Sequence, residues 1–223
     1  MTARPVPLTA ALSRIAGRSR VTDLRIGGIL LVVAGATILM GIITAEALYP
    51  GAFSTGGNEI SDLGGTRPPN SVVLQPSATI FDLSMIAIGA LVLAGAWFVH
   101  GAFGRRSATI PLALLGLGAF GVGVFPGYTG TPHALCAMTT FVSGGVAAIT
   151  VGRVVDGPFR VVSILLGAVA LGTLATYLFL GEASPMAGLG IGGVERWIVY
   201  PIVLWVVAFG GYLSGLAEGA RTA

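Results

Sequence analysis

The side chains able to do chemistry in this chain are few and crowded. The stretch GGNEISDLGGTRPPN, residues 56–70, holds Asn58, Glu59, Ser61, Asp62 and Arg67, in a sequence where only 9% of residues are charged. Glu46 precedes it, and Asp82, His133 and the pair Glu195-Arg196 follow. As parts of a hydrolase or transferase, Ser61 is the nucleophile, His133 its base, and Asp62 or Asp82 the acid that orients the imidazole. Ser61 sits beside Asp62 with no nucleophile-elbow pattern around it. A metal site would take His133 with Asp62, Asp82 or Glu195, yet no HExxH or paired-histidine spacing is present, and no metal or other cofactor is expected. Asn58, Glu59, Arg67, Glu195, Arg196 and Glu46 are the candidate binding residues.

The same residues also have a structural reading. Asp62 would cap a short turn by accepting from the loop's own amides, with Gly64 and Gly65 supplying positive φ. Arg67 or Arg196 would pair with Asp62 or Glu195. His133, directly after Pro132, would cap a helix and donate to a loop carbonyl.

The elements that position these groups are membrane spans. The chain has 223 residues, 54% of them hydrophobic, with 35 glycines and a mean hydropathy of +0.90, outside the range of ordinary soluble domains. A bilayer core about 30 Å thick takes about 20 apolar helical residues, so roughly six spans fit. Apolar runs place them at 26–49, 78–99, 108–125, 133–151, 161–180 and 197–214, an all-α six-helix bundle making one membrane domain over 26–217. A basic segment, 1–25, precedes it, and a short tail, 218–223, follows. Residues 1–25 read either as a disordered tail or as a basic stretch with Leu8, Leu12 and Ile15 lying on an anionic membrane surface. The first apolar run exceeds the roughly 7–15 residues of a signal-peptide core, so it reads as a span rather than a cleaved leader.

Orientation follows from the arginines, which make up all 12 basic residues. With both termini cytoplasmic, Arg4, Arg14, Arg18, Arg20, Arg25, Arg105, Arg106, Arg153, Arg160 and Arg221 lie inside, and only Arg67 and Arg196 lie outside. The long first loop is then extracytoplasmic. The pI of about 9.5 reflects this placement rather than nucleic-acid binding, and a bacterial cytoplasmic membrane is the expected location. Gly116-Leu-Gly118-Ala-Phe-Gly121 is formally GxGxxG, but a dinucleotide site needs a strand before it, which a span cannot supply. Ala119, Gly123 and Gly127, like Gly211 and Gly215, instead make smooth faces for close helix approach, within the chain or in a homo-oligomer. Cys136 reads as a core residue, and His100 as an interfacial one.

Asn58 with Ile60-Ser61-Asp62-Leu63-Gly64, then Ile80-Phe81, then Gly123-Val124-Phe125-Pro126 shortly before His133, resemble the bacterial membrane family catalogued as domain of unknown function 998. The likeness runs from the first span to Glu195-Arg196 and Trp205. The same order is more distantly similar to the six-span Frag-type and damage-regulated autophagy modulator proteins, linked to lipid remodelling. Asp82 stands where the bacterial family usually has asparagine, and Gly127 where an acid often follows Phe-Pro. A scheme needing the second acid would have to draw it from Asp82.

The expectation is that Asp62, Asp82, His133, Glu46 and Glu195-Arg196 converge on a pocket that binds a membrane lipid headgroup at the outer face. Two alternatives stay open: a lipid hydrolase or transferase built on His133 with Asp62 or Asp82, and a small-solute or proton-coupled transporter using Asp82 and Glu46.

Overall fold

The computed structural model describes residues 8–222, with side chains described for 17 and 19–220. Six long helices follow one another: α1 (Leu8–Ala47), α2 (Ser77–Phe103), α3 (Arg106–Val124), α4 (Thr131–Gly152), α5 (Pro158–Leu180) and α6 (Gly190–Thr222). Short 3-10 turns fill the connections, and no strand occurs among the described residues. All six helices are long and apolar enough to cross a membrane, which makes this a multi-pass membrane protein.

Local chemistry sets several boundaries. α2 stops at Gly104, whose φ of +62° is the left-handed C-cap conformation and whose N–H returns to the His100 carbonyl. Pro132 and Pro158 occupy the first turns of α4 and α5, where their missing N–H is no loss. α1 and α6 run past the expected spans. Residues 8–25 are helical in continuity with the first span, although residues 1–7 and the side chains of Leu8, Leu12 and Ile15 lie outside the described ones. α6 begins at Gly190, so Glu195 and Arg196 stand in its opening turns and not in the connection before it. Charged residues can begin a span here because loop groups are waiting for them.

Neighbours in sequence pack as neighbours in space, and α6 closes back onto α1. α5 lies across α4 and α6, which meet each other only slightly. The glycines of α3 serve this packing within the chain. A Cβ at Gly116 would come within 2.9 Å of the Leu93 backbone and one at Gly123 within 2.5 Å of the Asp82 carbonyl, whereas Gly127 lies beyond α3 in a 3-10 turn, where a Cβ would strike the Gly65 carbonyl of the first loop. Around Gly211 and Gly215 there is open space.

Toward the arginine-rich end, aromatic packing fills the seam between α5 and α6. Trp205, fully buried, stacks on Phe209, which stacks on Phe159, and Phe159 in turn stacks on Tyr212. The Trp205 indole N–H donates to Ser163 Oγ at 2.7 Å, and that hydroxyl donates to the Ala148 carbonyl at 2.7 Å. The loop end is built differently.

Candidate functional site beneath the first loop

Residues 48–76 connect α1 to α2 and fold over the end of the bundle. The loop first organises itself. Asn58 N–H donates to the Ser54 carbonyl at 2.7 Å, while Asn58 Oδ1 accepts from Ser54 N–H at 3.0 Å. A 3-10 turn, Ile60–Leu63, follows, and Asp62 Oδ2 ties its entry by accepting from Glu59 N–H at 3.0 Å and from the Asn58 amide at 3.3 Å. This is the turn-capping role that the structural reading gives Asp62. Of the two glycines behind it, only Gly65 takes positive φ, at +145°, whereas Gly64 sits at −85°. Ile60 and Leu63 bury their side chains in the bundle, and Ser77 Oγ donates to the Leu63 carbonyl at 3.1 Å, pinning the turn to the start of α2.

α6 supplies the stitching. One terminal nitrogen of Arg196 donates to the carbonyls of Thr55 at 2.8 Å, Asn58 at 3.0 Å and Gly192 at 3.0 Å. The other pairs with the Glu46 carboxylate on α1, and the guanidinium lies 5.8 Å from the Phe53 ring centroid. Beside it, Glu195 Oε2 accepts from Ile60 N–H, and Gly192 N–H donates to the Gly56 carbonyl at 2.9 Å. The arginine pairings therefore differ from those expected. Arg67 takes Glu59, at 2.7 Å, and Arg196 takes Glu46, because α1 and α6 are adjacent and Asp62 is turned toward the Glu59 amide. The Glu59 carboxyl is held above its ordinary pKa, chiefly by burial and further by Asp62, with Arg67 working the other way.

Asp82 lies on α2 directly under Gly64, where a Cβ would strike its Oδ1. That oxygen is sealed and accepts no hydrogen bond among the described residues. His133, 1% exposed, points Nδ1 at the Phe125 carbonyl, 2.8 Å away. Phe125 is the C-cap of α3, so the ring satisfies an orphan helix-end carbonyl. A carbonyl only accepts, so Nδ1 carries the proton and Nε2 of the neutral ring is an acceptor. The imidazole is thus oriented by a backbone carbonyl, not by Asp62 or Asp82.

Below this lid a cavity of about 80 Å³ runs along the bundle axis. α1, α2, α3, α4, α6 and the 3-10 turn line it, and α5 does not. Its loop end carries Ser61, His133 and Glu195, and Thr140 is the one polar residue further along, among apolar residues such as Ile38, Phe81, Met85, Val92 and Val206. Of the sequence candidates, then, Ser61, His133 and Glu195 share a cavity, while Asp62, Asn58, Glu59, Arg67, Glu46 and Arg196 build the lid over it. Met85, Val92 and Val199 line the cavity without any sequence signal, since an apolar side chain beside a void reads like one beside another side chain.

A family model described as Protein of unknown function (DUF998) matches residues 32–212. The chain belongs to this family. The matched region of this DUF998 protein contains every residue of the cavity lining, together with Glu46, the whole lid and Arg196. No curated protein and no solved structure matches the chain.

Proposed function

We propose that this DUF998 protein holds the hydrocarbon part of an outer-leaflet amphiphile in the axial cavity, with the polar end under the lid beside Ser61, His133 and Glu195. The observation that carries the reading is the polarity of the cavity: its acid and its imidazole stand at the loop end, and the rest is almost wholly apolar. Ligand sites commonly combine such an apolar wall with a few converging polar groups. Arg20, Arg25, Arg105, Arg106, Arg153 and Arg160 belong to the opposite end of the bundle, and the positive-inside rule then supports a lid on the outer side of a bacterial cytoplasmic membrane. The apolar inner lining suits a hydrocarbon better than an ion, which weighs against the transport alternative.

The test is a photoactivatable fatty chain added to the protein in nanodiscs, with crosslinks mapped by mass spectrometry. Crosslinks at Met85 or Val199, lost in Ala137→Phe, are expected. Crosslinks confined to lipid-facing positions such as Trp97 and Phe179, unchanged by that variant, would refute the reading.

A second reading, a lipid hydrolase or transferase, draws on the shared cavity of Ser61 and His133 and on the acceptor Nε2. In it the Phe125 carbonyl takes the orienting part. It requires that His133→Ala abolish turnover of a lipid ester while the protein stays folded, and retained turnover would exclude it.

A further inference from the structure

Resting on the cavity reading above, we infer that the amphiphile is single-chained and carries a hydrogen-bond-donating, non-anionic head, a hydroxyl or an ammonium. The polar groups at the loop end of the cavity are mainly acceptors. Glu195 Oε2 accepts from the Ile60 amide, and the carboxyl group has further lone pairs to offer. His133 spends its Nδ1 proton on the Phe125 carbonyl, leaving Nε2 of the neutral ring to accept. Ser61 donates or accepts as its partner requires.

The cations of this end are already committed. Arg196 is neutralised by Glu46 and held by three carbonyls, its Nε being sealed away, and Arg67 is paired with Glu59 in the lid. A phosphate or carboxylate entering the cavity would find no arginine left to balance it in an almost wholly apolar site, and an unpaired buried charge is costly. A donor head instead meets acceptors that have lone pairs to give.

Width sets the number of chains. On α6 the lining runs from Glu195 to Val206, about 16 Å at about 1.5 Å per helical residue. A free volume of only about 80 Å³ over that length is a narrow passage, which favours a single chain over a pair.

The experiment is displacement of the photoactivatable chain from cavity positions by four dodecyl probes on the full chain in nanodiscs: dodecanol, dodecylamine, dodecanoate and dodecyl phosphate. Crosslinks at lipid-facing positions in the same sample correct for partitioning into the bilayer. Dodecanol or dodecylamine is expected to displace at least tenfold more effectively than either anion, and Glu195→Gln is expected to weaken dodecylamine about tenfold while sparing dodecanol. Anions that compete as well as the donors would overturn the inference and leave the cavity reading standing. If no dodecyl probe displaces the cavity crosslink, both fall.

Discussion

The loop end of the bundle and the half toward the arginines are held by different physics. In the arginine-ward half, Trp205, Phe209, Phe159 and Tyr212 interlock between α5 and α6, and a single hydroxyl relay through Ser163 satisfies the indole. Packing there is stacking of large side chains on regular helices, which needs no particular partner for each atom. At the loop end, a connection with little regular structure is held by addressed hydrogen bonds: Arg196 to three carbonyls and Glu46, Glu195 to Ile60, and Asp62 to Glu59. Aromatic packing makes a seam. Addressed closure makes a lid that lies over a cavity and is lost one bond at a time.

The largest effects should separate the two regions most cleanly. Arg196→Leu strips the Glu46 carboxylate and three carbonyls of their partner at once, a loss of about 3–5 kcal/mol for a pair this buried. Thermal unfolding should show it, together with new protease cleavage within residues 48–76. Trp205→Ala should cost a similar amount, about 3–5 kcal/mol for removing a large buried aromatic. It should leave the loop protected, and cleavage of the loop in this variant would mean that the two regions are not independent.

Gly192→Ala comes next. The added methyl would strike the Asn58 carbonyl, so the lid must shift, at about 1–3 kcal/mol by the usual cost of overpacking. Loop cleavage should rise without loss of helix content by circular dichroism. Asp62→Ala removes only a turn cap, worth about 1 kcal/mol, and a modest fall in melting temperature is expected. A loss as large as that of Arg196→Leu would mean that Asp62 does more than hold Glu59 N–H.

The smallest effect is a pH slope. Burial holds the Glu59 carboxyl above its unfolded value of 4.5, so the folded state binds its proton more tightly than the unfolded state does. Stability therefore falls as pH rises from about 4.5 through the raised folded value, and it is regained on acidification. Glu59→Gln should remove that part of the slope in melts between pH 4 and 7, and an unchanged slope would assign it to another group.

Much of the molecule can be read without coordinates. The six spans follow from hydropathy, although α2 runs on past 99 to its cap at Gly104 and α5 starts at Pro158, ahead of 161, because glycine and proline set those ends within a few residues. Equally local are the turn cap at Asp62, three residues from the amide it bonds, and the His133 bond to Phe125, eight residues away. The early start of α6 was not legible in this way, because Glu195 and Arg196 look like loop residues until the loop that satisfies them is in view.

What the sequence by itself determined is the set of six membrane helices, their punctuation and the crowding of polar groups into one loop, since hydrophobic length and local backbone preference are written residue by residue. Only the tertiary structure decided which acid each arginine takes, that Ser61, His133 and Glu195 share a cavity while Asp62 and Asp82 do not, and that a cavity exists at all. Arg196 and Glu46 are 150 positions apart and meet because α6 packs on α1. A void, likewise, is a property of how apolar side chains fill space together, and no single one of them records it.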